Sequence, residues 1–193
     1  WRRIWMSYRV IAKPLRWLNY KTNRGKKMQE VQKQKVGFIG LGNVGSKLCG
    51  TLLRNGFDLT VLDLDEALVA DFVARGARAA SSPKALAIAA DIIITCLPSP
   101  SACAAVMENP GGVIAGLAEQ DSTGKTWLEM STTDEAEVRR LGEIVQGTGA
   151  NALDSPVSGG CHRAETGNIA IFAGGDRNGF EHVLPVLTTM GRR

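Results

Sequence analysis

The chain has 193 residues, of which 44% are hydrophobic, and its formal net charge is +4. This length allows one substantial hydrophobic core, so we expect a single folded domain and no second core. No apolar run approaches the roughly 18 residues of a transmembrane helix, so we expect no membrane span.

The positive charge is confined to the N-terminal segment. Residues 1–29 contain nine Lys or Arg and no acidic residue, whereas residues 30–193 contain 14 basic and 19 acidic side chains. A nucleic-acid partner is therefore expected only through the basic segment. We divide the chain into this tail, residues 1–34, and a domain over residues 35–193. An acid-free, partly amphipathic tail is typical of a mitochondrial transit peptide, although a binding arm or sequence without a role also fits. The expected compartment is mitochondrial or cytoplasmic.

The first predicted element of the domain is a strand over residues 36–39, which leads directly into a Gly-rich turn. Gly40, Gly42 and Gly45 have the GxGxxG spacing of a dinucleotide-binding turn. Gly40 would make the turn, Gly42 would let the backbone approach a pyrophosphate, and Gly45 would let the next helix pack closely. The phosphates would then lie at the N-terminus of a helix over residues 44–55, where unpaired N–H groups favour negative charge.

A second strand, over residues 59–62, ends at Asp63. An acidic residue at this distance beyond the glycines accepts hydrogen bonds from the adenosine ribose. Because its charge would repel a 2′-phosphate, Asp63 favours NAD over NADP. The alternative is a solvated aspartate in an unrelated α/β unit.

Strands and helices alternate over the next part of the chain. We predict helices over residues 65–75, 83–90, 101–108, 113–117 and 134–146, and strands over residues 91–97 and 126–130. This alternation implies right-handed βαβ units and an α/β fold with a doubly wound, mainly parallel sheet. Ligands bind beyond the carboxyl ends of such strands, which places Leu97 and Pro98 beside the cofactor.

The pattern changes after residue 150. Residues 152–160 predict a short strand that opens into a loop, and residues 168–173 predict one more strand. A final helical region follows, in which Pro185 predicts a kink or a restart. Its apolar face has no partner element, so we expect exposed apolar positions and further sequence beyond Arg193 to cover them. The face consists of Phe180, Val183, Leu184, Leu187 and Met190.

The cysteines and histidines do not suggest a metal site. The four cysteines, at positions 49, 96, 103 and 161, form no CxxC pair, and the two histidines are isolated in the sequence. We interpret the thiols as small buried side chains of a protein in a reducing compartment.

Four blocks of sequence together resemble the 3-hydroxyisobutyrate dehydrogenase family, the β-hydroxyacid dehydrogenases related to 6-phosphogluconate dehydrogenase. They are G-F-I-G-L-G-N-V-G at 37–45, I-T-C-L-P at 94–98, E-M-S-T-T-D at 129–134 and D-S-P-V-S-G-G at 154–160. The last block is the specific one, because many dinucleotide-binding proteins share the first. The resemblance covers residues 35–193.

The resemblance implies an oxidoreductase of small β-hydroxy acids that uses NAD, with NADP possible as the cofactor. It assigns Ser158, Gly159 and Gly160 to the substrate carboxylate, a role that suits exposed backbone N–H groups. A flexible surface turn is the alternative for these three residues. The cofactor contacts that it implies are Gly40, Leu41, Gly42, Asn43, Val44, Gly45, Asp63, Leu97, Pro98 and Thr132.

The resemblance also implies parts that these 193 residues lack. Family members continue into an all-helical second domain, which would lie beyond Arg193 and carry the catalytic lysine. We expect a homo-oligomer only for such a full-length form. We therefore expect no catalytic residue in this chain, because Lys125 precedes a strand at the opposite edge of the sheet.

Two other functions stay open. Reduction of glyoxylate or succinic semialdehyde with NADPH is the nearest variant within the same class. A non-catalytic dinucleotide-binding or scaffold module with a basic arm is the alternative from another class.

Overall fold

The computed structural model describes residues 34–191, together with the backbone of residues 7 and 8. The rest of the basic tail, and with it the predicted amphipathic face, lies outside the described residues. The strands are β1 (Ser7–Tyr8), β2 (Lys35–Ile39), β3 (Asp58–Leu62), β4 (Arg78–Ala79), β5 (Ile92–Thr95), β6 (Thr126–Glu129), β7 (Asn151–Asp154), β8 (Val157–Ser158), β9 (Ala170–Ile171) and β10 (Ala173–Gly175). The helices are α1 (Gly45–Arg54), α2 (Glu66–Ala74), α3 (Pro83–Ala89), α4 (Pro100–Glu108), α5 (Val113–Ala118), α6 (Glu135–Gly147), α7 (Gly160–Glu165) and α8 (Arg177–Met190).

The C-terminal residue Arg193 also lies outside the described residues. The catalytic lysine expected beyond Arg193 stays a prediction from the family resemblance.

Eight of these strands form one sheet in the order β1-β10-β7-β6-β5-β2-β3-β4. Strands β2 to β7 are parallel, and their order is that of a Rossmann fold, in which two βαβαβ halves meet between β2 and β5. Strand β10 joins β7 antiparallel, β1 joins β10 antiparallel, and β8 and β9 form a separate pair. The predicted doubly wound α/β fold is confirmed, and its crevice lies at the carboxyl ends of β2 and β5.

Apolar side chains fill both faces of the sheet, because its central strands are hydrophobic on both sides. Helices α1, α2, α7 and α8 cover one face, around Phe38 and Leu48. Helices α3 to α6 cover the other face, around Ile93 and Trp127. Both of these clusters are buried, so the strands that end at the crevice are held in place by tight packing on both faces of the sheet.

Side-chain caps begin most of the long helices. Ser82 and Ser99 each accept a hydrogen bond of 3.1 Å from a backbone N–H in the first turn, and a proline follows each at the first helical position. The carboxylates of Asp65, Asp134 and Asp176 cap α2, α6 and α8 in the same way. Helix α1 differs, because no side chain caps it.

Three predictions for the C-terminal part are wrong in whole or in part. Residues 168–173 do not form one strand, because β9 pairs with β8 whereas β10 pairs with β7 in the main sheet. The prediction that the apolar face of α8 is uncovered is wrong for most of the face, because Met190 is fully buried and Leu187 is only 5% exposed, both within the core on the α1 face. It is right for Leu184, which is 36% exposed. Helix α8 also continues through Pro185 without a restart. The sequence reasoning did not predict β4 or α7.

Candidate functional site

The turn between β2 and α1 carries the predicted contacts Gly40 to Gly45. Gly40 has a φ of +98°, and a Cβ there would lie 2.2 Å from the carbonyl oxygen of Cys96. A Cβ on Gly45 would lie 2.0 Å from the Gly40 oxygen. Because both distances are far below van der Waals contact, this close approach of turn, strand and helix requires glycine at both positions. A Cβ on Gly42 would have no neighbour within 4 Å, so the backbone there faces open space.

The N-terminus of α1 presents unpaired N–H groups to this open space. No side chain caps the helix, and its first turn holds no acidic residue. Within residues 34–191, the N–H groups of Asn43, Val44 and Gly45 donate to no backbone acceptor in the turn. Unpaired N–H groups at the positive end of a helix fit the diphosphate of a dinucleotide.

Asp63 follows β3, and its carboxylate reaches back to the glycine turn. Its Oδ2 accepts a hydrogen bond from the Leu41 N–H at 2.5 Å, and its Oδ1 accepts one from the Asp65 N–H at 2.9 Å. A carboxylate offers about four lone-pair positions, so Asp63 can accept further bonds from ribose hydroxyls. It therefore holds the turn in place, a role that the sequence reasoning did not predict, and remains able to accept hydrogen bonds from a ligand.

The loops after β5, β6 and β7 meet at the same edge of the sheet. The Leu97 N–H donates to Ser131 Oγ at 2.8 Å, and the Thr132 hydroxyl lies 3.3 Å from the carbonyl oxygen of Val157. Pro98 and Thr132 are at least partly exposed beside this junction. The structure thus brings the predicted contacts Leu97, Pro98 and Thr132 together.

The predicted substrate loop lies at the start of α7. Ser158 ends β8, Gly159 precedes α7 and Gly160 begins it, and all three are exposed. Gly159 has a φ of +132° and Gly160 a φ of +78°, which L side chains rarely adopt. Two such residues in succession explain the Gly-Gly pair.

Helix α7 docks onto α1, which carries the glycine turn. The Thr51 hydroxyl is buried between two carbonyl oxygens that can accept its hydrogen, that of Lys47 in α1 at 2.9 Å and that of Ala164 in α7 at 3.0 Å. Lys47 forms an ion pair of 3.2 Å with Glu165, but both side chains are exposed and such pairs contribute little. The predicted substrate loop is therefore fixed relative to the predicted cofactor turn chiefly by buried contacts.

Comparison with known proteins assigns a family to this arrangement. The family described as the NAD binding domain of 6-phosphogluconate dehydrogenase matches residues 35–193, the whole predicted domain. The chain belongs to this family. The assignment supports a nicotinamide dinucleotide as the cofactor.

Relatives of this NAD-binding domain include several dehydrogenases. 2-(Hydroxymethyl)glutarate dehydrogenase of Eubacterium barkeri is 36% identical over 158 residues, which are 82% of this chain and 51% of that protein. Mitochondrial 3-hydroxyisobutyrate dehydrogenase of Rattus norvegicus is 35% identical over 82% of this chain and 46% of that protein. The crystal structure of 3-hydroxyisobutyrate dehydrogenase from Salmonella typhimurium superposes with a TM-score of 0.76 and 26% identity, over 83% of this chain and 55% of that chain.

These matches confirm the resemblance to the 3-hydroxyisobutyrate dehydrogenase family. The chain spans about half the length of the relatives that it matches.

The NAD-binding domain also contains a buried carboxylate that the sequence reasoning missed. Glu129 is fully buried at the end of β6. Its Oε1 accepts a hydrogen bond from the Ser131 N–H at 2.7 Å, and its Oε2 accepts from the Thr95 hydroxyl and, at 3.1 Å, from the Cys103 thiol. The Trp127 Nε1–H donates to Thr95 Oγ1 at 2.8 Å. The signal in the sequence was an acidic residue inside a strand that otherwise reads as buried on both faces.

Burial and this carboxylate shift the pKa values of the groups around it. Asp154 pairs with Glu129 across β6 and β7, and its pKa is raised to about 6, mainly by burial and then by the charges of Glu129 and Glu135. Burial, followed by Glu129, raises the pKa of Cys96 to about 12 and also raises the pKa of Cys103. Both thiols are therefore protonated at neutral pH, which excludes them as nucleophiles.

Lys125 lies at the opposite edge of the sheet from the glycine turn. Its Nζ donates to the carbonyl oxygens of Ala87 and Ile88 at 3.1 Å, at the C-terminal end of α3. Among the described residues, no group of three or more His, Cys, Asp or Glu side chains could hold a metal ion. No helix in the same part of the chain is long and apolar enough to cross a membrane.

Proposed function

We propose that this chain is the cofactor-binding domain of an NAD-dependent dehydrogenase of small β-hydroxy acids. The observation that carries the proposal is the uncapped N-terminus of α1 behind a glycine turn that the Asp63 carboxylate holds in place. Membership of an NAD-binding family supports the cofactor class. The names of two relatives, dehydrogenases of 2-(hydroxymethyl)glutarate and 3-hydroxyisobutyrate, support the substrate class.

The domain would bind the cofactor along the carboxyl edge of the sheet. The N–H groups of residues 42–45 would donate to the diphosphate, and Asp63 would accept from the ribose hydroxyls. The Asp63 charge would repel a 2′-phosphate, so we propose NAD in preference to NADP. Leu97 and Pro98 would lie beside the cofactor and Thr132 near its nicotinamide. When bound, the cofactor supplies the hydride acceptor for oxidation of the alcohol.

The loop at the start of α7 would hold the substrate. The Ser158 hydroxyl and the N–H groups of Gly159 and Gly160 would donate to the substrate carboxylate. Because α7 is docked onto α1, with Ala164 buried in the core of that face, a substrate bound here would be held at a fixed position relative to the cofactor. Orientation of this kind supplies a large part of the rate enhancement in two-substrate reactions.

Oxidation of the alcohol also requires a group that takes the hydroxyl proton. The residues proposed for the site offer hydrogen-bond donors and the Asp63 carboxylate, which would lie at the adenosine ribose and not at the substrate hydroxyl. We therefore place the proton acceptor beyond Arg193, on the second domain that the family resemblance implies. The 193-residue chain should bind the cofactor without oxidising hydroxy acids.

Absorbance of NADH, recorded with the purified chain, tests whether this chain binds the cofactor but lacks the proton acceptor. With NAD and either 3-hydroxyisobutyrate or 2-(hydroxymethyl)glutarate, we expect no turnover although NAD binds. Loss of a general base alone typically costs about 10²–10⁴-fold in rate. Turnover of about 1 s⁻¹ or faster, within the ordinary enzyme range, would show that a residue of this chain takes the proton.

A further inference from the structure

Glu129 is a buried carboxylate for which the proposed function gives no role. It lies on β6 near the middle of the sheet, with Thr95 of β5 and Asp154 of β7 in register on either side. Its side chain is fully buried, so it does not reach a ligand in the crevice. Any part that it plays in function must act through the groups that it contacts.

Burial of a carboxyl group costs free energy unless hydrogen bonds compensate for it. None of the salt bridges among residues 34–191 includes Glu129. Three donors converge on the carboxylate instead: the Thr95 hydroxyl, the Cys103 thiol and the Ser131 N–H. Three hydrogen bonds from three different segments fix the position of this carboxyl group and of its partners, because a buried polar group that loses its partner costs free energy.

Ser131 connects this carboxylate to the crevice. Its N–H donates to Glu129, and its hydroxyl oxygen accepts from the Leu97 N–H at 2.8 Å. A continuous series of hydrogen bonds therefore runs from Glu129 to the loop after β6 and on to the loop after β5. Removal of the carboxylate would leave the Ser131 N–H without its acceptor and would loosen the bond to Leu97.

The two loops lie on the β5 and β6 side of the crevice, whereas Asp63 lies on the β3 side. A dinucleotide bound across such a crevice places one mononucleotide half over each side. With the adenosine half at Asp63, the nicotinamide half would lie over the loops that Ser131 joins. The carboxylate thus supports one half of the proposed cofactor site and not the other.

We propose that Glu129 is a positioning residue, whose carboxylate holds the loops after β5 and β6 where they receive the nicotinamide half of the cofactor. This inference rests on the proposed function. It predicts that loss of the carboxylate weakens contacts with the nicotinamide half and leaves contacts with the adenosine half intact.

Calorimetric titration with NAD and with ADP-ribose, which lacks the nicotinamide, separates the two halves. The wild-type chain should bind NAD more tightly than ADP-ribose. In Glu129→Met, which keeps the side-chain length without the acceptors, the Kd for NAD should rise about tenfold, the effect of losing one well-placed hydrogen bond. The Kd for ADP-ribose should change by less than about twofold, since the glycine turn and Asp63 are untouched. A change in the ratio of the two constants is not expected from a purely structural defect.

Three further variants complete the test. Glu129→Gln retains one acceptor oxygen for the Ser131 N–H and should recover most of the wild-type ratio. Ser131→Ala removes only the acceptor for the Leu97 N–H and should change the ratio of the two Kd values in the same direction. It replaces Glu129→Met in the test if that variant does not fold. Glu143→Met makes the matched substitution at an exposed position of α6 and should leave the ratio unchanged.

Amide hydrogen exchange on the ligand-free protein gives a readout that does not depend on cofactor binding. In Glu129→Met, or in Ser131→Ala if the first variant does not fold, the Leu97 N–H should exchange about fivefold faster than in the wild type, the factor that corresponds to loss of a hydrogen bond of about 1 kcal/mol. The N–H of Val61 in β3 should be unaffected. Unchanged exchange at Leu97 together with an unchanged ratio would overturn the role of Glu129, and so would equal affinity of the wild type for NAD and ADP-ribose. Failure of the wild type to bind either compound would instead refute the proposed function.

Discussion

Two alanine substitutions in the glycine turn should affect different properties, one the thermal stability and the other the affinity for NAD, although they lie only three residues apart. In Gly45→Ala the new Cβ would lie 2.0 Å from the Gly40 carbonyl oxygen, where ordinary contact begins at 3.4 Å. The obstructing atom belongs to the backbone, so the turn itself must shift. Overpacking of this kind costs about 1–3 kcal/mol. At about 2–4 °C per kcal/mol for a chain of this size, we expect the Tm to fall by about 2–12 °C.

Gly42→Ala is the matched control for stability. Its Cβ would have no neighbour within 4 Å, and the backbone there does not have a positive φ. The substitution should leave the Tm unchanged or raise it slightly, since alanine restricts the unfolded chain by about 0.4–1 kcal/mol more than glycine does. The methyl group would, however, occupy the space through which the diphosphate approaches the turn. We expect the Kd for NAD to rise at least about tenfold, equivalent to about 1.4 kcal/mol.

Thermal unfolding followed by circular dichroism, together with calorimetric titration of NAD, measures both effects on the same samples. A loss of stability in Gly42→Ala as large as that in Gly45→Ala would contradict the open space at position 42. Unchanged binding of NAD by Gly42→Ala would show that the open face of the turn is not the diphosphate site.

Three further predictions concern stability. The pKa of Asp154 is raised to about 6 in the folded protein, so the folded state binds this proton more tightly than the unfolded chain, and stability should fall as the pH rises from about 4 to about 6. Since Asp154 is only partly buried, we expect this loss of stability to be about 1 kcal/mol. Asp154→Asn should therefore raise the Tm by about 2–4 °C at pH 7.5 and by less at pH 4.5. An equal increase at both pH values would show that stability does not depend on protonation of Asp154. Thr51→Val removes the buried hydroxyl between α1 and α7 and should cost about 1 kcal/mol in urea unfolding, whereas an unchanged midpoint would show that this bond does not hold α7. Removal of residues 1–32 deletes the two-residue pairing of β1 with β10 and should shift the Tm by less than about 2 °C; a decrease of about 5 °C would mean that the tail packs on the domain.

The strands and the glycine turn could be predicted because their signals are local. The continuous apolar runs of β2 and β5 indicate strands that are buried on both faces. The spacing from Gly40 to Asp63 is that of one βαβ unit. The serine and proline pairs that begin α3 and α4 are equally local. Each of these signals lies within a few residues of the element that it specifies.

The features that the sequence did not predict depend on contacts between distant residues. Glu129 receives hydrogen bonds from Thr95 and Cys103, which are 34 and 26 positions away, and no local pattern indicates such a network. Residues 168–173 read as one strand because the run is continuous, whereas its division follows from pairing with two different partners. The face of α8 was predicted to lack a partner because the core that covers Met190 comes from earlier elements of the chain.

The central claim is that the glycine turn and Asp63 bind a nicotinamide dinucleotide with a preference for NAD. Calorimetric titration of the purified chain with NAD and with NADP tests it most directly. We predict one saturable site that binds NAD more tightly than NADP, and we predict that Asp63→Ala removes this preference. A wild-type chain that binds neither dinucleotide, or that binds NADP as tightly as NAD or more so, would contradict the claim.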